Sequence, residues 1–204
     1  MKQFKGRVIV PGSCRAEALV SRGGFNTLAS FQMALQFGDK QVKCGDQNNP
    51  DIYKKPMIGK ALCLPMTIGS TTGGMILYTA CAIGKQPACM LFSKPIDPLA
   101  ASGAILGDVW TEAKMPVVDT LGEEFLSYVK TGMLVVVKED GGVVTVECTR
   151  NFRRGDPRGR PAVQYTIVKT RAANSYSLRA RRLLLQRIVI APTTVFSLLQ
   201  TPQM

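Results

Sequence analysis

Apolar residues recur along this chain in two rhythms, brief runs bounded by glycine or proline and longer stretches at helical spacing. Gly6-Arg7-Val8-Ile9-Val10, stopped by Pro11-Gly12, predicts a first strand, and residues 13–20 continue extended or begin a second. Residues 21–26 form a loop in which Gly23-Gly24 sits beside Phe25, and residues 27–37 are apolar in a pattern that fits strand or helix. Residues 38–56 are polar, with a turn cluster at 44–50. The run at 59–64 predicts a buried strand, residues 75–83 a helix closed by Gly84, residues 88–92 a strand after Pro87, and residues 99–106 a short helix. Pro116-Val117-Val118 predicts a very short strand. Residues 121–130 then predict a helix with Glu123 and Glu124 in its first turn and Lys130 in its last, which suits the helix dipole. Strands at 132–137 and 143–146 flank a turn at 139–142. This β-α-β-α-β succession predicts an α/β domain whose sheet is partly parallel with an antiparallel end.

In such sheets ligands gather at the carboxyl ends of parallel strands, and one stretch has the composition for it. Leu64-Pro65-Met66-Thr67-Ile68-Gly69-Ser70-Thr71-Thr72-Gly73-Gly74 joins a predicted strand to a predicted helix. Strand, small-residue turn, helix is a geometry that aims free backbone N–H groups at a ligand. Ser70 or Thr71 is expected near the helix N-cap, where a hydroxyl caps the helix or faces outward to react. A helix cap with permissive glycines accounts for the same residues, and the pair Gly23-Gly24 reads either as a turn or as a close approach of backbone to a small ligand.

Composition removes several chemistries. The chain has no histidine, which excludes Ser-His and Cys-His nucleophile pairs, histidine metal ligands and phosphohistidine carriers together. Its six cysteines, at 14, 44, 63, 81, 89 and 148, include no CxxC pair, so they read as buried thiols of a reducing compartment and no metal site is assigned to this chain. No apolar run reaches the length of about 18 residues that a membrane helix needs. The first residues lack the pattern of a secretory signal, and a cytoplasmic location is expected.

The net charge of +12 is unevenly spread. Residues 1–150 hold 16 Lys and Arg against 13 Asp and Glu, whereas residues 151–204 hold 10 against 1. After Cys148, arginines crowd among glycine and proline, and residues 178–196 form an arginine-studded apolar run. The chain therefore divides into a domain at 1–148 and a basic C-terminal extension at 149–204, read as solvated or partner-bound. Basic residues without aromatic stacking partners are a weak sign of nucleic-acid binding.

Several blocks taken together resemble the small, swivel-domain subunit of the aconitase X family. They are Gly23-Gly24-Phe25, residues 58–65 running into Gly69-Ser70-Thr71-Thr72-Gly73-Gly74, Pro87-Ala88, residues 100–106, and Met115-Pro116-Val117-Val118-Asp119. The resemblance spans most of residues 4–147 and implies a swivelling β/α/β domain that closes over a larger subunit carrying an iron–sulfur cluster. It implies a hydro-lyase dehydrating a small hydroxy acid, in a family that includes cis-3-hydroxyproline and phosphomevalonate dehydratases. The family's proton-abstracting serine maps onto Ser70. Many members have a histidine in the loop before the GST strand, where this chain has Asp46, Gln47, Asn48 and Asn49, so substrate choice is open.

A serine hydroxyl abstracts a proton from carbon only if its alkoxide is stabilised by nearby donors. Backbone N–H groups of Thr71, Thr72 and Gly73 are suited to that cradle, with Gly69, Gly24 and Phe25 completing the expected substrate contacts. With no ligand set here, the metal is expected on the partner large subunit. A non-catalytic anion-binding or docking module using the same turn is the alternative reading.

Overall fold

A computed structural model describes residues 2–69, 71–140 and 143–149. The expected basic extension at 149–204, including the apolar run at 178–196, lies almost wholly outside the described residues. Ten strands and four helices are described, and eight of the strands form one sheet. These are β1 (Lys2–Lys5), β2 (Arg7–Val10), β3 (Cys14–Val20), β5 (Lys60–Leu64), β7 (Cys89–Phe92), β8 (Val117–Asp119), β9 (Leu134–Asp140) and β10 (Val143–Thr149). The order across the sheet is β1-β10-β9-β3-β5-β7-β8-β2. From β3 to β8 neighbours run parallel, and the pairs at both margins are antiparallel. The expected α/β architecture with a partly parallel sheet is what forms.

The central strands are covered on both faces, which is why their sequences read as unbroken apolar runs. Leu62, Leu64, Met90 and Phe92 point into one core layer, shared with Phe31 and Leu77. Ala61, Cys63, Cys89 and Leu91 point into the other, shared with Phe125 and Val135. Helices α1 (Thr27–Gln36), α2 (Gly73–Ala82) and α3 (Pro98–Trp110) supply the first layer, and α4 (Glu123–Tyr128) packs in the second.

The ambiguous segment at 27–37 is helical. Thr27, Ser30, Phe31 and Ala34 recur at helical spacing on its buried side, and Asn26 caps it by accepting a hydrogen bond from Ala29 N at 3.1 Å. Helix α3 continues past its expected end at residue 106 to Trp110. It starts sharply because the Asp97 carboxylate accepts from Leu99 N and Ala100 N ahead of Pro98. Helices α2 and α3 cross with no side chain between them at Gly74 and Gly103. A Cβ on Gly103 would lie 2.0 Å from the Gly74 carbonyl oxygen. No helix among the described residues is long and apolar enough to cross a membrane.

Candidate active site

The parallel strands β3, β5, β7 and β8 end on one edge of the sheet, and two of the exits are rich in glycine. After β3 come Ser21-Arg22-Gly23-Gly24, then strand β4 (Phe25–Asn26). After β5 come Pro65-Met66 and strand β6 (Thr67–Ile68), which pairs with β4 in parallel, Phe25 opposite Thr67 and Asn26 opposite Ile68. Phe25 N–H donates to Met66 O at 2.9 Å. The two segments singled out from the sequence are thus drawn side by side.

Close approach explains the glycines. A Cβ on Gly24 would lie 2.8 Å from Ile68 Cγ2, and one on Gly73 would lie 2.5 Å from Thr27 Oγ1. Gly69 has φ of +120° and faces Asn26 Oδ1, so it needs glycine on two counts. Gly24, Gly69 and Gly73 therefore hold the β3 and β5 exits together. Phe25 does not present its ring to this edge. The ring is fully buried, packed edge-on against Phe31 with centroids 6.0 Å apart, and only its backbone is available at the site.

Ser70 lies outside the described residues. Its neighbours are described: Thr71 and Thr72 are exposed, and Thr72 rather than Ser70 or Thr71 is the N-cap of α2. Thr72 makes no side-chain cap to the helix, and the first turn of α2 carries no acidic residue. The positive end of the helix dipole at Gly73-Gly74 is therefore not offset by a carboxylate from its own first turn.

Hydrogen bonds from distant segments fix these exits. Ser21 Oγ donates to Asn49 Oδ1 at 2.9 Å, Arg22 N–H donates to Asp51 Oδ2 at 2.7 Å, and Asn49 Nδ2 reaches Gly24 O at 3.4 Å. On the other side the Thr67 hydroxyl donates to the Asp97 carboxylate, and Asp97 N–H donates back to Thr67 Oγ1 at 3.2 Å. Next to Asp97, Ile96 N–H donates to the buried Asp119 carboxylate at 2.9 Å. Arg7 holds that carboxylate through Nε at 2.9 Å and Nη2 at 2.6 Å. Burial pushes the Asp119 pKa up, but the bonds from Arg7, Ile96 N–H and Thr120 outweigh it and leave it below the usual value of 3.8. Asn49, Thr67 and Asp97 were not among the expected site residues. For Asp97 a signal was present, since Asp directly before Pro marks a helix start.

The described residues do not fit a metal or cluster. Among them no three His, Cys, Asp or Glu side chains come together as a ligand set. Cys44, Cys63, Cys81 and Cys89 are buried. Burial, with a smaller contribution from Asp108, pushes the Cys81 thiol up to about 11. A hydrogen bond with Cys14, then burial, holds Cys89 well above the ordinary value. Protonated thiols are poor metal ligands.

Comparison with known proteins decides the family. The model of the aconitase X swivel domain matches residues 3–146. This chain belongs to the aconitase X swivel-domain family. Curated relatives include the phosphomevalonate dehydratase small subunit of Thermococcus onnurineus, 30% identical over 71% of this chain and 98% of that protein. The protein of the same name from Methanocaldococcus jannaschii is 30% identical over 71% of this chain and 97% of its own length. The crystal structure of Thermococcus kodakaraensis aconitase X in its holo form superposes with a TM-score of 0.59 at 29% identity, covering 73% of this chain and 99% of that one. As an aconitase X swivel domain the chain is a hydro-lyase subunit, and the paired exits of β3 and β5 are its candidate active-site edge.

Proposed function

We propose that this chain is the small subunit of a two-chain iron–sulfur hydro-lyase that dehydrates a small phosphorylated hydroxy acid, phosphomevalonate, with Ser70 as the base. The observation that carries the reading is the parallel pairing of β4 with β6, which brings Gly24-Phe25 against Thr67-Ile68-Gly69 at the carboxyl edge of the sheet, immediately before Ser70. The substrate comes from the relatives' names, and the base from the match of the GST turn.

In this reading Ser70 takes the proton from the carbon beside the substrate carboxylate. Backbone N–H groups of Thr71, Thr72 and Gly73, at the unshielded start of α2, stabilise the alkoxide and the charge that develops on the carboxylate. Gly24 and Gly69 let backbone approach the substrate closely, and Phe25 contributes its main chain. Polarising the departing hydroxyl requires a Lewis acid, assigned to an iron–sulfur cluster on the large subunit. Residues 1–148 form the catalytic swivel unit, residues 149–204 an appended basic extension, and the assembly works in the cytoplasm.

Reconstitution tests the proposal. The chain alone is expected to show no dehydration of phosphomevalonate and to bind no iron, and a stoichiometric mixture with its large subunit to lose water from the substrate by mass spectrometry. Tight binding of phosphate or carboxylate to the isolated chain by calorimetry, with no activity in the mixture, would favour a non-catalytic anion-binding module instead.

A further inference from the structure

We propose that Thr67 is a positioning residue for the dehydration: through its reciprocal hydrogen bonds with Asp97 it sets where the turn carrying Ser70 begins. The inference rests on the reading of Ser70 as the base.

Thr67 is the last residue before Ser70 with a polar side chain, since only Ile68 and Gly69 intervene. Its side chain is anchored twice at one point. The hydroxyl donates to one Asp97 oxygen and accepts from Asp97 N–H at 3.2 Å, while the other Asp97 oxygen caps α3. Thr67 is 3% exposed while Asp97 is partly exposed, so breaking these bonds leaves the buried Thr67 hydroxyl as the group without a partner. The anchor is itself fixed, because the neighbouring Ile96 N–H is bonded to the Arg7-bound Asp119. The start of the turn is thereby referenced to β8 and β2 as well as to β5.

Downstream of Thr67 the chain is held by the pairing of Ile68 with Asn26 and by the close approach of Gly69 to the Asn26 side chain. Ile68 is half-exposed, Gly69 has φ of +120°, and α2 begins without a side-chain cap. Three residue steps separate Thr67 from Ser70, up to roughly 10 Å of chain. A rotation at Thr67 therefore shifts the start of the turn in which the proposed base lies. Displacements of about 1 Å of a reacting group cost up to ~100-fold in rate.

The test uses the full chain assembled with its large subunit and phosphomevalonate as substrate. Thr67→Val keeps the shape and removes the hydroxyl, Thr67→Ser keeps the hydroxyl, and Ser70→Ala is run beside them. Thr67→Val is expected to lower kcat by about 10- to 100-fold with KM changed less than about threefold. Thr67→Ser is expected to recover kcat to within about threefold of the parent, a rescue that generic loss of stability does not produce. If Ser70→Ala is inactive and Thr67→Val turns over within twofold of the parent, Thr67 has no positioning role, while the reading of Ser70 stands. If Ser70→Ala retains turnover, the base itself is wrong. Should Thr67→Val fail to fold, Asp97→Ser decides, because it keeps a cap for α3 and removes the carboxylate that accepts from Thr67. A kcat loss of about tenfold supports the proposal, and a kcat within twofold overturns it.

Discussion

Replacing Gly103 by alanine puts a methyl group where the backbone of α2 already lies. The new Cβ would sit 2.0 Å from the Gly74 oxygen, 2.5 Å from its carbonyl carbon and 2.6 Å from its Cα. Side-chain carbons essentially never come within 3.0 Å of such atoms, so α2 and α3 must part by about 1 Å at this level. No rotamer relieves the contact, since both partners are main chain. Alanine gains about 1 kcal/mol over glycine as a helix residue, whereas overpacking costs roughly 1–3 kcal/mol. With both partners main chain the cost lies at the upper end of that range, so a net loss of about 1–2 kcal/mol lowers the melting temperature by roughly 2–8 °C. The functional cost should be larger, because Gly74 lies in the first turn of α2 and that turn starts three residues after Ser70. A shift of about 1 Å there predicts a fall in turnover of about 10- to 100-fold in the assembled enzyme. Gly107→Ala is the control. Its Cβ meets Cys81 Sγ at 2.8 Å and Cys81 Cβ at 2.9 Å, a side chain nearly two turns further along α2, and turnover should fall less than about threefold. The assays are thermal unfolding of the isolated chain and kcat of the complex. A Gly103→Ala protein that melts within 1 °C of the parent and turns over within twofold would refute the close-crossing argument.

Other outcomes follow from the same contacts. Asp119→Asn should cost about 2 kcal/mol near neutral pH by weakening the bonds to Arg7 and Ile96 N–H. Because the folded carboxylate titrates below its usual value of 3.8, its contribution is present above the unfolded pKa and disappears as pH falls through the lower folded one. The gap in melting temperature between parent and Asp119→Asn should therefore narrow below about pH 4, and a gap independent of pH would contradict the ion pair. Alkylation of the native chain at pH 8 should modify Cys14, which is partly exposed, and spare Cys44, Cys63, Cys81 and Cys89, read by peptide mass mapping. Rapid labelling of Cys81, whose thiol burial pushes up to about 11, would contradict its place between α2 and α3. Ending the chain after Arg150 should leave the melting temperature and the turnover of the complex within experimental scatter if residues beyond β10 are an appended extension, and a chain that no longer folds would count against that boundary.

Central features of this molecule are legible in the residues because they depend on burial. Ala61-Leu62-Cys63-Leu64 reads as a strand buried on both faces, and it is one. The exits are less legible. Strands β4 and β6 have two residues each, too few for any periodicity, and they pair only because the ends of β3 and β5 converge. Residues 27–37 fit two templates because the buried side of α1 includes Thr27 and Ser30 while Met33 and Phe37 face outward. Phe25 beside two glycines resembles a ligand contact, but its ring fills the core and Gly24 also serves the approach of Ile68, neither of which shows in the local sequence. The Thr67–Asp97 contact spans 30 residues and leaves no local trace beyond a helix-capping aspartate. Ser70 is legible as a base only through the family resemblance, because hydroxyl and glycine content alone also describes a helix cap.

The central claim is that Ser70 is the base of a dehydratase completed by a second chain. Turnover of phosphomevalonate by the reconstituted complex carrying Ser70→Ala tests it most directly. A base in this role contributes about 10²–10⁴-fold, so kcat should fall by that factor while assembly with the large subunit is unchanged by gel filtration. A Ser70→Ala complex that assembles and turns over at near the parent rate would contradict the account.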